Sequence, residues 1–154
     1  MLKIQKGIDN TILRTVSTKI KDNEIKSYLK LASTMKKFIK DPDNGGVWLA
    51  APQVGYNIRL IIVSLPETRD DENFKTIIMF NPTILEMSDE CDLWEEWCLS
   101  VPKKTWEVKR STEIKLAYQD ERWAFKSLIL NWLKARIIQH EIDHLDGILF
   151  VDRL

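Results

Sequence analysis

The sequence has little of the chemistry on which secreted, membrane-spanning or nucleic-acid-binding proteins depend. Only two of its 154 residues are cysteine, Cys91 and Cys98, so a framework of several disulfides is excluded. Lysine plus arginine and aspartate plus glutamate number 23 each, so the net charge is zero and no nucleic-acid partner is indicated. No apolar run approaches the roughly 18 residues that a membrane span needs. The amino terminus, MLKIQKGIDN, lacks the apolar core of a signal peptide, so we expect a cytoplasmic protein without membrane attachment.

What is present is the pattern of a single α+β domain over residues 1–154. Apolar residues at three- and four-residue spacing predict a helix from a cap at Asp22-Asn23 to about Lys40. A second helix is predicted over Asn131–Leu145, with Asn131 as its cap and Gly147 as its stop. Apolar runs or alternating patterns predict strands at 59–65, 75–80, 112–118 and 123–129, and residues 66–73 read as a polar loop.

The two histidines attract attention because the chain has no others. His140 and His144 are four residues apart in the predicted second helix, so both imidazoles project from one face and can reach one metal ion. Glu141 lies beside that face, where its carboxylate can reach a water on the ion without being a ligand. The H-E-x-x-H spacing is typical of metallohydrolases and favours metal binding over a pair of packed or surface histidines.

A catalytic ion of this kind normally takes three protein ligands, so one ligand is missing from the helix. Asp146 is too close on the same helix to converge easily, and we therefore expect the third ligand upstream. Cys98 is the favoured candidate, because Cys91 lies in an acidic run, SDECD, that raises a thiol pKa and suits a solvated loop. A buried packing residue and a thiolate nucleophile are the other interpretations of Cys98, and a nucleophile would need a free histidine.

A third segment, GGVWLAAPQ at 45–53, has the composition of a loop that approaches a ligand closely. Its glycines and small side chains leave room for the backbone, and Gln53 offers an amide donor. An ordinary helix-to-strand turn has a similar composition and remains the alternative.

Taken together, these three segments resemble those of the peptide deformylases. That family carries a Gly-x-Gly-x-Ala-Ala-Pro-Gln loop, a Glu-Gly-Cys-Leu-Ser segment and a Gln-His-Glu-x-Asp-His-Leu-x-Gly helix, in this order. Here they read GGVWLAAPQ, EEWCLSVP and QHEIDHLDG, and DNTILR at 9–14 is similar to the family's amino-terminal Asp-Pro-x-Leu-Arg. The resemblance spans nearly the whole chain and implies small antiparallel or mixed sheets around a central H-E-x-x-H helix that binds the metal.

The resemblance implies a hydrolase that removes the N-formyl group from N-formyl-methionyl peptides and releases formate. Cys98, His140 and His144 would hold one divalent ion per chain, with Fe²⁺ as the native ion and Zn²⁺, Ni²⁺ or Co²⁺ also accommodated. Glu141 would take a proton from the attacking water and deliver it to the departing amine. Gln53 and the backbone N–H of Leu99 would hold the oxyanion. The expected partner is a nascent chain at the ribosome, and a monomer is expected.

Two tryptophans depart from the family pattern where substrate would pass. Trp48 stands at the second glycine of the loop, and Trp97 stands at the glycine before the cysteine, so we expect a reshaped peptide groove and contact between the two rings. An apolar pocket for the methionine side chain is expected from Val47, Leu133 and Ile137, although core packing gives the same periodicity. The expected substrate-binding residues are Gly46, Val47, Trp48, Glu96, Trp97, Leu133 and Ile137. A carboxy-terminal helix that many relatives carry is expected to be absent.

The sequence leaves three hypotheses. A working deformylase with an altered cleft is favoured, because Gln53, Leu99, Glu141 and all three ligands are present. The second is a catalytically impaired or inactive metal-binding relative whose groove is narrowed by Trp48 and Trp97. The third is a metalloprotease, which rests on H-E-x-x-H alone and is disfavoured by a cysteine ligand upstream of the helix.

Overall fold

The computed structural model of the chain describes residues 2–66, 71 and 74–153. Its helices are α1 (Thr11–Arg14), α2 (Ile25–Lys40) and α3 (Trp132–Leu145), and short 3-10 turns lie at Pro42–Asn44, Ala51–Val54 and Phe150–Asp152. Its strands are β1 (Trp48–Ala50), β2 (Leu60–Leu65), β3 (Lys75–Met87), β4 (Cys91–Cys98), β5 (Val101–Ser111), β6 (Glu113–Gln119) and β7 (Phe125–Asn131). Most of the predicted polar loop at 66–73 lies outside the described residues. The prediction of an α+β fold is confirmed.

A five-stranded antiparallel sheet, in the order β1-β2-β3-β6-β7, separates the two long helices. Successive side chains of β2 point to opposite faces of this sheet. Leu60 and Ile62 join the buried cluster that includes α2, whereas Ile61 and Val63 join the cluster that includes α3. Both faces of β2 are therefore covered, which explains why its sequence is a continuous apolar run.

Helix α2 ends at Lys40 as predicted, but its predicted cap is wrong. The helix begins at Ile25, the N-cap position is occupied by Glu24, and no side chain caps it there. The Glu24 carboxylate instead accepts a hydrogen bond of 3.1 Å from the backbone N–H of Lys21. Asp22 and Asn23 thus lie in the turn before the helix.

Strands β2 and β6 lie within one residue of their predicted ranges, whereas β3 and β7 differ by more because turns and bulges intervene. Strand β3 does not end at Phe80 but continues to Met87, past Asn81 in a left-handed conformation with φ of 49°. The Asn81 side chain accepts from the Ile20 N–H and donates to the Ile20 carbonyl, which holds this irregularity in place. Strand β7 begins at Phe125 rather than Trp123, because Trp123 lies in the preceding turn with φ of 68°.

Strands β4 and β5 form a separate two-stranded ribbon that the sequence patterns do not predict. Cys91 is exposed, as expected, but it begins β4 instead of lying in a loop. At the other end of β4, Cys98 pairs with Val101, so Leu99 and Ser100 form a two-residue turn. This turn fixes the direction of the Cys98 side chain relative to α3.

Helix α3 runs through the interior of the molecule. Every residue from Ala135 to Leu145 is buried, including polar ones. Asn131 occupies the predicted N-cap position, but its side chain makes no capping hydrogen bond. The helix ends two residues before Gly147, which has a φ of 72°. Among the described residues, none of the helices is long and apolar enough to cross a membrane. A polar helix in the core is costly unless its side chains find partners, so its partners identify the site.

Candidate metal centre and active site

Helix α3 places His140 and His144 one turn apart with their rings in edge contact. The ring centroids are 5.1 Å apart at an angle of 72°, and the exposed fractions of the two residues are 5% and 1%. Both rings lie on one face of the helix, as the four-residue spacing predicts. The helix therefore presents two buried imidazoles to one point.

The ribbon brings Cys98 to the same point. Its Sγ lies 3.3 Å from His144 Nε2, and donor atoms of Cys98, His140 and His144 all lie within 4.8 Å of one another. The N–H of Ser100, at 3.4 Å, and Gln53 Nε2, at 3.5 Å, also approach this sulfur. We call Cys98, His140 and His144 the triad.

Electrostatics at the triad favour the thiolate. Burial alone would raise the pKa of Cys98, but the adjacent His144 and His140 rings lower it well below that of a free thiol. The thiolate is the form in which cysteine binds metals. Cys91, by contrast, is exposed and far along β4 from the histidines.

The triad fits a divalent transition-metal ion. Sulfur and nitrogen ligands on a tetrahedral ion lie about 3.6 Å apart, given bonds of about 2.3 and 2.1 Å, and the separations here are of that order. One thiolate with two imidazoles suits Fe, Co, Ni or Zn rather than Mg or Ca. Three ligands also leave one position open, as catalytic sites of this type require.

Glu96 has a role that the sequence did not indicate. It was expected to bind substrate, and it is one of the residues that line the large pocket beside the triad. Its Oε2 also lies 2.8 Å from His140 Nδ1, and both its oxygens accept hydrogen bonds of 3.0 Å from Arg110. Arg136 Nη1 also donates to Glu96 Oε1 at 2.8 Å. The carboxylate is thus occupied within the protein, and it directs His140 Nε2 towards the triad.

The charge on Glu96 is held by its partners. Burial opposes its ionisation, yet the contacts with His140 and Arg110 lower the pKa of Glu96 well below its usual range. Glu96 and Cys98 lie two residues apart on β4, so their side chains share one face. That spacing was the available signal that Glu96 lies near the candidate metal centre. His144 Nδ1, by contrast, is buried without a hydrogen-bond partner.

Glu141 is fully buried beside the triad, and neither of its carboxylate oxygens has a hydrogen-bond partner. Burial raises the pKa of Glu141 to about 7. An unpartnered buried carboxylate is costly and is rarely retained for packing alone. Its position one residue after His140 is the one that the motif predicts.

A small pocket lies between Glu141, Gln53 and two members of the triad, Cys98 and His140. It has a volume of about 10 Å³ and is lined in part by Gln53, Leu99 and Glu141. This is about the space that one water needs. Gln53 Oε1 accepts from the Ala50 N–H at 2.9 Å, so that Nε2 is turned towards Ser100 Oγ, at 3.2 Å, and Cys98 Sγ. Gly46 lines the same pocket, and a Cβ there would lie 2.9 Å from Leu99 Cδ1.

A larger, mostly apolar pocket of about 550 Å³ adjoins the triad at His140. We call it the apolar pocket, and its walls include Val47, Trp48, Trp94, Trp97, Leu133 and Ile137. The structure therefore brings the predicted pocket residues together. Trp48 and Trp97 share this pocket, but the aromatic ring contacts found in the described part of the chain do not include a contact between them. The expected contact between their rings is wrong, and Trp97 is 49% exposed.

These features are those of a class of metalloproteins in which an H-E-x-x-H helix and an upstream cysteine together can hold one ion. Comparison with known proteins identifies the family within this class. The family model for polypeptide deformylase matches residues 1–154. The chain belongs to the polypeptide deformylase family, which confirms the resemblance and the fold inferred from the motifs.

Relatives and solved structures agree with that assignment. The chain is 43% identical to a peptide deformylase of Chlorobaculum tepidum over 109 residues, which are 71% of this chain and 58% of that protein. It is 37% identical to the Synechocystis enzyme over 147 residues, covering 92% and 78% of the two chains. The chain thus matches less than two thirds of the length of some curated relatives.

Among solved structures, a probable peptide deformylase from Synechococcus phage S-SSM7 has a TM-score of 0.87 and 40% identity over the whole of both chains. A Met-Ala-Ser-bound class I type b peptide deformylase from Acinetobacter baumannii has a TM-score of 0.88 and 36% identity, covering 100% and 98% of the two chains.

Proposed function

We propose that this protein removes the formyl group from N-formyl-methionyl peptides and releases formate. The observation that carries the proposal is the unpartnered, buried carboxylate of Glu141 beside the triad. Support also comes from the family and from the relative that is described with Met-Ala-Ser bound.

The ion is expected to bind to Cys98 Sγ and to a ring nitrogen of each histidine. When bound, it supplies Lewis-acid activation of water and of the formyl oxygen. Glu96 keeps His140 in the tautomer and orientation that a ligand needs, because its carboxylate holds Nδ1. The donor set suits Fe²⁺, Zn²⁺, Ni²⁺ or Co²⁺, and we propose one Fe²⁺ per chain as the native state.

Glu141 moves the proton. It accepts the proton that the attacking water loses, and it returns that proton to the methionine nitrogen as the C–N bond breaks, so formate and a free amine leave. Its oxygens are available for this because they are not engaged elsewhere in the protein.

Gln53 and Leu99 stabilise the negative charge that develops on the formyl oxygen. The Gln53 side chain is held by the Ala50 N–H, so its Nε2 is already oriented before substrate arrives. The Leu99 N–H follows the ligand cysteine in the tight turn and is proposed as the second donor. Donors fixed in advance act without a reorganisation cost during the reaction.

The peptide is bound by an edge strand and by the apolar pocket. Strand β1 lies at the edge of the five-stranded sheet, so a substrate backbone can add to it as a further strand. The methionine side chain enters the apolar pocket beside Val47, Leu133 and Ile137, where burial contributes about 1.5–3 kcal/mol. The pocket's volume of about 550 Å³ favours a working enzyme over one blocked by Trp48 and Trp97.

The proposal is tested by assaying the protein, loaded with Fe²⁺ without oxygen, on formyl-Met-Ala-Ser, with metal analysis of the same sample. Formate release that requires the metal supports it. About one metal per chain without formate release would identify the impaired relative instead. Cleavage of an unformylated peptide would indicate a metalloprotease.

A further inference from the structure

A second pocket opens from the triad on the other side of Trp97. It has a volume of about 710 Å³, and Cys98 and Leu99 are among the residues that line it. Four lysines line it, namely Lys3, Lys6, Lys103 and Lys104, and Asp43 is the acidic residue among its lining residues. We call it the lysine pocket. Within the described part of the chain, none of these four lysines makes an ion pair with an acidic side chain.

This concentration of charge is a local feature. The whole chain has 23 basic and 23 acidic residues, so its net charge does not attract anions from a distance. Unpaired lysines around one cavity repel each other unless an anionic group binds between them. The pocket therefore favours an anionic ligand.

Lys103 and Lys104 lie in one wall of the lysine pocket. All five residues of the β5 segment 101–105 line this pocket, and the two lysines are neighbours within it. Lys103 has a φ of 64°, in the left-handed region that is unfavourable for a residue with a Cβ, so the strand is irregular here. The segment therefore places two positive charges side by side at the pocket.

The loop that leads away from the triad ends in this pocket. Gln53 contacts Cys98, Gly46 and Val47 line the small pocket, and Asp43 and Asn44 line the lysine pocket. A peptide that begins at the triad and follows this loop outwards reaches the lysines. The continuity with Cys98 favours the substrate's own chain over a separate macromolecule.

We propose that the lysine pocket binds acidic side chains of the substrate downstream of its formyl-methionine. This inference rests on the proposed function and adds a substrate preference to it. Formylated peptides with aspartate or glutamate at the third and fourth positions are the preferred substrates, because their carboxylates pair with Lys103 and Lys104.

The test compares kcat/KM for formyl-Met-Ala-Asp-Asp-Ser, formyl-Met-Ala-Ser-Ser-Ser and formyl-Met-Ala-Lys-Lys-Ser with the metal-loaded protein. At low salt we expect the acidic peptide to exceed the basic one by about tenfold, mainly through KM, from two modest ion pairs. The ratio should shrink in 0.5 M NaCl, where exposed charges are screened. The double variant Lys103→Glu/Lys104→Glu should reverse the order of the two peptides.

The matched control is Lys26→Glu/Lys30→Glu, which makes the same charge change on exposed positions of α2. It should keep the wild-type ratio. Equal kcat/KM values of the wild-type protein for all three peptides would overturn the proposal. A reversed order of the acidic and basic peptides in the control variant would overturn it as well. If single-stranded RNA binds better than the acidic peptide, and this binding is lost in the Lys103/Lys104 variant, the pocket would be assigned to nucleic acid instead.

Failure of the inference is distinguishable from failure of the proposed function. If formyl-Met-Ala-Ser is hydrolysed but the acidic, neutral and basic peptides have equal kcat/KM values, only the proposed substrate preference is refuted. If no formylated peptide is hydrolysed, titration of the same peptides against tryptophan fluorescence still measures binding beside Trp97. Tighter binding of the acidic peptide would then uphold the pocket, and equal binding of all three would refute it.

Discussion

Glu96 Oε2 lies 2.8 Å from His140 Nδ1, and this contact joins the ribbon to the central helix at the candidate metal centre. Arg110 and Arg136 bind the same carboxylate, so two guanidinium groups hold in place the residue that orients a metal ligand. Arg110 also pairs with Asp143 of α3. The network thus connects His140 of α3 to both strands of the ribbon, β4 and β5.

Replacing this carboxylate should weaken metal binding. We expect Glu96→Gln to lower metal affinity by about 10–100-fold, because the amide holds His140 less firmly and a charge is lost. The measurement is metal release to a competing chelator, at a temperature where circular dichroism shows the variant folded. Glu107→Gln, at an exposed position of β5, is the matched control. Unchanged metal affinity in the folded Glu96→Gln variant would refute the orienting role.

Trp97 should act as a wall of the apolar pocket. We expect Trp97→Gly to raise KM for formyl-Met-Ala-Ser by about tenfold with little change in kcat, because the methionine loses apolar contact. Trp106→Gly serves as the control, since Trp106 is similarly exposed, at 42% against 49%, on the neighbouring strand. A rise in kcat/KM for the Trp97 variant would show instead that the ring obstructs the groove.

Gly147 should tolerate alanine less well than Gly45 does. Both have a left-handed φ, of 72° and 68°, but a Cβ at Gly147 would lie 2.6 Å from the Arg14 carbonyl oxygen and one at Gly45 meets nothing within 4 Å. Gly45→Ala should cost about 1 kcal/mol and Gly147→Ala about 1–3 kcal/mol more. Thermal unfolding of the two variants measures the difference. Equal melting temperatures would contradict the steric argument.

The Arg14–Asp152 pair should contribute stability that depends on pH. Hydrogen bonds from Arg14 lower the pKa of Asp152, one of them at 3.2 Å. The contribution is therefore complete above the unfolded pKa of about 3.9, and it is lost as the pH falls through the folded pKa. Both side chains are about one-third exposed, so solvent limits the effect to below about 1 kcal/mol.

Urea unfolding of Asp152→Asn at pH 7 and pH 3 checks this sign. The variant should be less stable than the wild type at pH 7, and the gap should narrow at pH 3. A gap that widens on acidification would show that the pair is not ionised in the way described.

The sequence predicted those parts of the site that local periodicity determines. His140, Glu141 and His144 lie within five residues on one helix, and helical spacing alone brings them together. Cys98 followed from the need for a third ligand. The carboxy-terminal end of α2 and the apolar runs of β2 and β3 were also predicted correctly, because burial on one or both faces leaves a pattern in the sequence.

The network around Glu96 could not be predicted in the same way. Its bonds to Arg110 and Arg136 span 14 and 40 residues, so no local spacing reports them. The ribbon that carries Glu96 is largely exposed, and its charges interrupt the apolar alternation that marks a strand. The partners of a buried charge thus become visible only when the chain is folded.

The most direct test of the central claim is the formate released by Glu141→Gln and wild-type protein at equal metal content. If Glu141 transfers the proton beside the ion at the triad, the variant should retain about one metal per chain and lose about 10²–10⁴-fold in kcat on formyl-Met-Ala-Ser. Turnover by the metal-loaded variant at the wild-type rate would contradict the account.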